Sequence, residues 1–327
     1  MGEMTRKEFL RKAAQAGLAA GVLSRLLPPV PAEAAPASTV ALVNSSRAIQ
    51  NDTVAAPVVR EMVDKAVSLL TGKPAPQAWK SLFRPADLVA IKVNCISGTR
   101  MSSRPEVVQA VIAGLTGAGV KPENIYVYEC RTRDLARGGY TINAEGPGPR
   151  FIGIDQDWDE QPTQEGTFKG RLARLLTEKA TAIVNVPVLK DHDGVGVTFA
   201  MKNHYGSIAN PGENHGDSGY PVAYLNAVPT IRSKTRLVVG DCIWGLADGG
   251  PTARKPKCIW PEGAVLVTTD PVAADAIAWK LLEAARARLG LQTLEQVGRY
   301  PHFIAKAAEL GLGTDDPARI KVVRASV

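Results

Sequence analysis

The feature that most constrains the fold of this 327-residue chain is a succession of short apolar segments that alternate with stretches of helical periodicity. Buried strands are predicted over residues 87–95, 125–130, 181–189, 236–242 and 264–270. Helices are predicted over residues 53–70, 105–119, 169–178 and 271–290, the first with Asp52 as N-cap and Gly72 just past its end. This alternation predicts an α/β fold, with a mostly parallel sheet and helices on both faces.

The first 34 residues have the pattern of an export signal. A basic segment, TRKEFLRK, precedes a short apolar run, and Ala32-Glu33-Ala34 is a small-residue cleavage site. The basic segment resembles the twin-arginine motif, with Lys7 in place of the second arginine; an amphipathic surface helix is the other interpretation. We therefore expect residues 1–34 to be an export signal read by the twin-arginine machinery. Residues 35–327 are expected to form a single α/β domain with a Gly/Pro-rich excursion at about 131–167.

The export signal predicts a periplasmic or extracellular protein, which stays cytoplasmic if the signal is not functional. No membrane span is expected after signal removal, because the N-terminal apolar run is too short to cross a bilayer. The chain carries a formal charge of +7, but its basic residues are scattered and not interleaved with aromatic residues. This distribution argues against a nucleic-acid partner and fits a small anionic ligand better.

Several common enzyme classes are disfavoured by the absence of their motifs. The sequence has no P-loop, no Gly-x-Gly-x-x-Gly after a first strand and no Gly-x-Ser-x-Gly. Nucleotide-dependent kinases, dinucleotide-dependent dehydrogenases and serine hydrolases therefore do not fit this chain.

Polar residues stand at the ends of four predicted strands: Asn94, Glu129, Asp241 and Asp270. In open α/β sheets, ligands bind in the crevice beyond the carboxyl ends of the strands. If the four strands are parallel neighbours, these side chains converge on one cleft, with Lys92 two residues before Asn94. We therefore expect a binding site at this edge of the sheet.

The segment at residues 185–208 supplies more polar side chains. The predicted strand 181–189 ends at Lys190, so Lys190 and His192 are expected at the same carboxyl edge. The turn Gly194-Val195-Gly196 predicts a helix that begins near Val197. The free N–H groups at such a helix N-terminus form an anion site.

Two residues of this predicted helix, Thr198 and Lys202, are four positions apart and are expected to share one face, with Asn203 beside them. Lys92, Lys190 and Lys202 would hold the anion, and His192 would transfer a proton. The catalytic candidates are His192, Lys190 and Asp241; the ligand-binding candidates are Lys92, Asn94, Thr198, Lys202, Asn203 and Asp270. These residues predict an enzyme that acts on a carboxylated or phosphorylated small molecule, of unknown reaction.

Several separated motifs resemble the family known as domain of unknown function 362, or DUF362. They are Pro187-x-x-Lys190-x-His192, Thr198, Lys202-Asn203-x-x-Gly206, Ile91-Lys92-x-Asn94, Asp241 with Gly249-Gly250-Pro251, and Asp270-Pro271-x-Ala273-x-Asp275. The resemblance runs from about residue 40 to the C-terminus, and it implies an exported protein. Some members carry cysteine clusters for iron–sulfur centres, but this chain contains no Cys-x-x-Cys. The resemblance indicates a site rather than a reaction.

Two other functions compete with an enzyme. Cys95, Cys130 and Cys242, together with His192, are candidate ligands of a metal ion or iron–sulfur centre in a redox accessory protein. In an oxidising compartment a disulfide is the alternative, with Cys242 and Cys258 as the nearest pair. The third function is a solute or cofactor carrier, which needs the anion site but no proton-transfer group.

Overall fold

The computed structural model describes residues 38–327, so the predicted export signal lies outside the described residues. Its strands are β1 Ser38–Asn44, β2 Ile49–Gln50, β3 Thr53–Val54, β4 Val89–Lys92, β5 Ile125–Glu129, β6 Arg150–Gly153, β7 Thr163–Glu165, β8 Phe168–Gly170, β9 Ala182–Asn185, β10 Val188–His192, β11 Gly196–Thr198, β12 Thr235–Leu246, β13 Ile259–Thr268 and β14 Ile320–Ser326.

The α-helices are α1 Ala56–Thr71, α2 Ala75–Leu82, α3 Pro105–Gly117, α4 Thr132–Arg137, α5 Ala200–Asn203, α6 Tyr220–Ala227, α7 Pro229–Lys234, α8 Pro271–Arg288 and α9 His302–Glu309. Single turns of 3₁₀-helix lie at Gly98–Arg100, Pro122–Asn124, His204–Ser207, Pro211–Asn214, Asp217–Gly219 and Pro256–Cys258, and a π-helical turn lies at Leu175–Lys179. In residues 38–327, no helix is both long and apolar enough to cross a bilayer.

One large sheet organises the chain. Its main path has the order β14-β1-β13-β12-β9-β4-β5-β6, and β10 pairs with both β12 and β11 beside this path. The five strands from β12 to β6 are parallel. Among the described strands of the path, only β13 runs against both of its neighbours. The predicted mostly parallel sheet is therefore confirmed, and β13 and β11 are its antiparallel members.

Helices cover both faces of this sheet, as the sequence predicts. Side chains alternate along each strand: in β1, Val40 and Leu42 face one apolar cluster, whereas Ala41 and Val43 face the other. The first cluster packs against α6, α8 and α9, and the second against α1, α2 and α3. Because both faces are buried, the central strands are almost wholly apolar.

Three local predictions need correction. The first helix begins at Ala56 rather than at residue 53, because Thr53–Val54 is a short strand; Asp52 is therefore not its N-cap, although Gly72 ends it in the left-handed conformation with φ 68°. The excursion at 131–167 contains α4 and also β6, which forms the sheet edge. The helix predicted at 169–178 is replaced by β8 and a π-helical turn.

Candidate functional site

A cavity of about 400 Å³ lies at the carboxyl ends of β4, β5 and β10, a size typical of small-molecule sites. Six of the catalytic and ligand-binding candidates line it: Lys92, Asn94, His192, Thr198, Lys202 and Asn203. The crevice beyond parallel strand ends is thus formed, since β4 and β5 are parallel neighbours. Lys190, Asp241 and Asp270 do not line the cavity.

The floor of the cavity contains a buried ion pair between the ends of β4 and β5. Lys92 Nζ lies 2.9 Å from Glu129 Oε1, and both side chains are almost fully buried. The Glu129 carboxylate also accepts hydrogen bonds from the N–H groups of Cys95 and Cys130, so its charge is well satisfied. A Cβ on Gly206 would come within 2.4 Å of Lys92 Nζ. The glycine therefore leaves space for this ion pair.

Lys190 is fully buried behind the cavity rather than in its wall. Its Nζ donates to Asn94 Oδ1 at 2.7 Å, to Ser97 Oγ at 3.3 Å and to the Met101 carbonyl at 3.2 Å. Burial lowers the pKa of Lys190 to about 7. All three protons of its ammonium form have acceptors in the protein, so Lys190 holds Asn94 in place and has no donor left for a ligand.

Asparagine side chains continue this network across the floor. Asn94 Nδ2 donates to Asn203 Oδ1 at 3.3 Å, and Asn203 Nδ2 donates to Asn185 Oδ1 at 2.7 Å. Asn185 in turn donates to the Ala200 carbonyl at 2.7 Å. Because each amide both donates and accepts, the network fixes the orientation of all three side chains.

His192 presents an N–H group to the cavity. Its Nδ1 accepts hydrogen bonds from the backbone N–H groups of Gly194, at 3.0 Å, and Val195, at 3.4 Å. Burial, reinforced by Lys202, lowers the pKa of His192 to about 3, so the ring is neutral near pH 7 and its proton is on Nε2. A general base needs a free nitrogen, so the expected role in accepting a proton does not fit this geometry; His192 is arranged as a hydrogen-bond donor.

The helix predicted near Val197 is absent at that position. Residues Gly196–Thr198 form β11, which returns antiparallel to β10, and α5 begins only at Ala200. The N–H groups of Ala200 and Met201 donate to the two carboxylate oxygens of Asp275, at 2.6 and 3.0 Å. Asp275 therefore occupies the anion position expected for a ligand, and Thr198 and Lys202 do not share a helix face.

Lys202 is buried at the cavity wall without a carboxylate partner in residues 38–327. Its Nζ lies 3.0 Å from His215 Nε2 and 3.2 Å from the centre of the Tyr205 ring. Burial lowers the pKa of Lys202 well below its ordinary value. Burial also lowers the pKa of His215. The neighbouring Lys202 adds to the lowering of the His215 pKa.

Thr198 lines the same cavity, and its side chain is buried. Its Oγ1 has no hydrogen-bond partner within residues 38–327. Buried hydroxyl groups without partners are uncommon, because burial removes their hydrogen bonds to water. A ligand oxygen or a water molecule in the cavity would satisfy this hydroxyl.

The sequence analysis missed three arginines at the mouth of the cavity. Arg131, Arg133 and Arg137 follow β5 in and around α4, and they are exposed. The signal available in the sequence was a cluster of basic residues directly after a predicted strand. Tyr205 and His215 were also missed; His215 lies in an irregular segment whose position no periodicity predicts. With Lys92 and Lys202, the arginines give the cavity five basic side chains against the carboxylates of Glu129 and Asp134.

Two predicted residues lie elsewhere. Asp270 follows β13, whose direction opposes that of β12, so Asp270 lies at the opposite edge of the sheet, where it caps α8 through the N–H groups of Val272 and Ala273. Asp241 lies inside β12 rather than at its end, and it accepts hydrogen bonds from the N–H groups of Arg104 and Ile243. The expected convergence of four strand ends is therefore limited to Asn94 and Glu129.

Comparison with known proteins identifies the family of this chain. Residues 89–280, more than half of the chain, match the family described as Domain of unknown function (DUF362). The chain belongs to the DUF362 family. It is 25% identical over 234 residues to the thylakoid-associated protein sll1697 of Synechocystis, covering 64% of this chain and 70% of that protein. No solved structure matches the chain. All side chains that line the cavity of this DUF362 protein lie within the matched region.

The cysteine candidates of this DUF362 protein do not form a ligand set. Cys95 packs in the apolar cluster on one face of the sheet, whereas Cys242 packs in the cluster on the other face, and of the three only Cys130 lines the cavity. In residues 38–327, no three His, Cys, Asp or Glu side chains are placed to hold a metal ion. All four cysteines are free thiols, Cys242 and Cys258 included. Cys95, Cys130, Cys242 and His192 therefore do not fit the expected metal or iron–sulfur centre.

Proposed function

We propose that the cavity binds a small molecule with a carboxylate or phosphate group. The observation that carries the proposal is a pair of buried groups in its wall, Lys202 and Thr198, that lack the partners their chemistry requires. Lys202 has no counter-ion and Thr198 Oγ1 has no hydrogen-bond partner within the described residues. A ligand with anionic oxygens in the cavity could supply both.

The charge of the lining supports the same ligand class. Lys92 is neutralised by Glu129, and Arg133 lies 3.5 Å from Asp134, but the side chains of Arg131 and Arg137 form no ion pair within residues 38–327. Two arginines at the mouth and one lysine in the wall therefore face the cavity without compensation. Cationic side chains around a concave site attract anions and hold them with charge-assisted hydrogen bonds.

Binding of an anion is coupled to protonation of Lys202. Burial lowers the pKa of Lys202 well below its ordinary value, and an adjacent negative charge favours the ammonium form. A bound anion would therefore raise this pKa, and binding would take up protons at any pH at which unliganded Lys202 is partly deprotonated. Titration calorimetry with inorganic phosphate in two buffers of different ionisation enthalpy measures that uptake.

The test compares Lys202→Met with Lys280→Ala, the control at an exposed lysine of α8. Methionine keeps most of the buried volume but removes the charge. Because a charge-assisted hydrogen bond contributes about 1.5–3 kcal/mol, Lys202→Met is expected to weaken phosphate binding by about ten- to a hundredfold. The control should bind as wild type does. Equal affinity of Lys202→Met and wild type, with both proteins folded by circular dichroism, would contradict the proposal.

We also propose that the protein is exported, on the basis of the twin-arginine-like segment in residues 1–34. N-terminal sequencing of protein from the native cell is expected to give a mature N-terminus near Ala35. Retention of Met1 or Gly2 in the native protein would show that the segment is not cleaved as a signal.

A further inference from the structure

We propose that Lys202 is a nucleophilic amine that forms an imine with the carbonyl group of a small anionic substrate of the 2-oxo acid class. This inference rests on the proposed function, since it uses the same cavity and assigns the chemistry of its ligand. It goes further because it assigns to Lys202 a covalent step.

The first support is a chain of three groups that ends at Lys202. His215 Nδ1 lies 2.8 Å from the Pro211 carbonyl, which can only accept, so Nδ1 carries a proton. In the neutral ring, Nε2 is then a free acceptor, and Lys202 Nζ lies 3.0 Å from it. A nucleophile within reach of a base, with the base oriented by a third group, is the arrangement that activates nucleophiles in enzymes.

The second support is the set of charges around the amine. The Tyr205 ring face favours a cation at Nζ, and Asp193 acts in the same direction, but Asp193 is itself paired with Arg254 at 2.6 Å. Burial acts against the cation. Burial dominates and lowers the pKa of Lys202 well below its ordinary value, which increases the fraction of the free amine.

Imine formation needs no reactant other than the amine and the carbonyl compound. The lone pair of Nζ attacks the carbonyl carbon, the carbon–oxygen π electrons move to oxygen, and one amine proton passes to His215 Nε2. His215 returns this proton to the oxygen, which gives a carbinolamine. The second amine proton reaches the hydroxyl by the same route, and water leaves as the carbon–nitrogen double bond forms. His192 presents its Nε2–H to the cavity, so it can donate a hydrogen bond to the oxygen as charge develops there.

The rest of the lining favours a carbonyl compound with an adjacent carboxylate. The amine occupies the wall at Lys202, while Thr198 Oγ1 and the exposed arginines of the mouth are donors available to carboxylate oxygens. A 2-oxo acid carries both groups on neighbouring carbons. The volume of about 400 Å³ accommodates a molecule of this size.

The experiment treats the full chain with pyruvate and sodium cyanoborohydride, which reduces an imine to a stable secondary amine, and maps modified lysines by peptide mass spectrometry. Lys202 is expected to be modified at least tenfold faster than exposed Lys280 in the same molecule. Lys190 is an internal control, because its pKa is also lowered, to about 7, but it does not line the cavity. Lys190 should remain unmodified.

Two variants distinguish the role of Lys202 as the nucleophile from the role of His215 as the base. Lys202→Arg removes the nucleophile but keeps a cation, so trapping should disappear while phosphate binding is partly retained. His215→Phe keeps a ring but removes the acceptor, so modification of Lys202 at pH 7 should slow by about tenfold or more.

The inference is overturned if Lys202 and Lys280 in the wild-type protein react at the same rate, a comparison that needs no variant. Phosphate binding that depends on Lys202, without imine trapping, removes this inference and leaves the proposed function. Imine trapping at Lys202 without phosphate or carboxylate binding removes the proposed function and leaves the reactive amine.

Discussion

Three buried lysines lie near one edge of the sheet, and their partners give them different chemistry. Lys92 is paired with the carboxylate of Glu129, Lys190 is surrounded by neutral oxygens, and Lys202 faces an imidazole nitrogen. A buried ammonium is stabilised by a carboxylate partner and is costly without one. Residue type alone is therefore a poor guide to role, because the three lysines differ in the partner that each one contacts.

Substitution of Gly206 by alanine is expected to destabilise the protein. An added Cβ would lie 2.4 Å from Lys92 Nζ and 2.5 Å from Glu129 Oε1, so Gly206→Ala must displace a buried ion pair. Overpacking of this kind costs about 1–3 kcal/mol, and we expect a loss of unfolding free energy of that order in urea denaturation. The variant should also bind phosphate more weakly, because Lys92 and Glu129 form the floor of the cavity.

Gly212→Ala is the matched control for this substitution, because no atom lies within 4 Å of a Cβ at that position. A surface change of this kind is expected to alter stability by no more than about 0.5 kcal/mol. Equal stability of the Gly206→Ala and Gly212→Ala proteins would mean that the ion pair adapts without cost, and the explanation given for the glycine would be wrong.

Local sequence patterns predict most of the strands and helices but not the direction of every strand. The strands of the parallel half of the sheet and the helices on both faces can be predicted from local apolar periodicity. A strand that is buried on both faces is apolar at almost every position, which makes it easy to recognise in the sequence. The direction of β13 leaves no such signal. Its apolar run is equally suited to either orientation, and Asp270 was therefore assigned to the wrong edge of the sheet.

The segment after His192 shows a second limit. Glycines and a following apolar stretch predict a helix N-terminus, yet the chain first forms β11 and begins α5 at Ala200. Asp275, which is 75 residues from Ala200 in sequence, accepts hydrogen bonds from the free N–H groups of that helix. A carboxylate from α8 thus takes the place assigned to a ligand, and only the tertiary structure brings the two together. Lys92, Asn94 and His192 still line the cavity because the ends of β4 and β10 were correctly predicted, whereas Thr198, Lys202 and Asn203 line it although their predicted helix begins elsewhere.

At the scale of the whole molecule, buried ionisable groups couple stability to pH in opposite directions. Burial lowers the pKa of His192 and of His204 to about 3, and it raises the pKa of Asp275 to about 7. Between pH 6.5 and 3 the unfolded chain binds protons at these histidines while the folded chain does not. The stability of the folded state therefore decreases as the pH is lowered. Asp275 has the opposite effect between pH 3.8 and 7, where the folded chain binds the extra proton and stability falls as pH rises.

The contribution of one histidine can be isolated at His204, which is fully buried and does not line the cavity. Its pKa of about 3 lies below the unfolded value of 6.5, so its contribution to stability is present above pH 6.5 and is lost on acidification. From pH 6.5 to pH 5 the expected loss is about 2 kcal/mol, since each pKa unit corresponds to about 1.4 kcal/mol. Urea denaturation across this range should therefore show a steeper loss of stability toward acid pH in wild type than in His204→Phe. Ser207→Ala, which removes the hydroxyl 3.3 Å from His204 Nδ1 but keeps the imidazole, should retain the wild-type slope. Parallel curves for wild type and His204→Phe would show that His204 is protonated equally in the folded and unfolded chains.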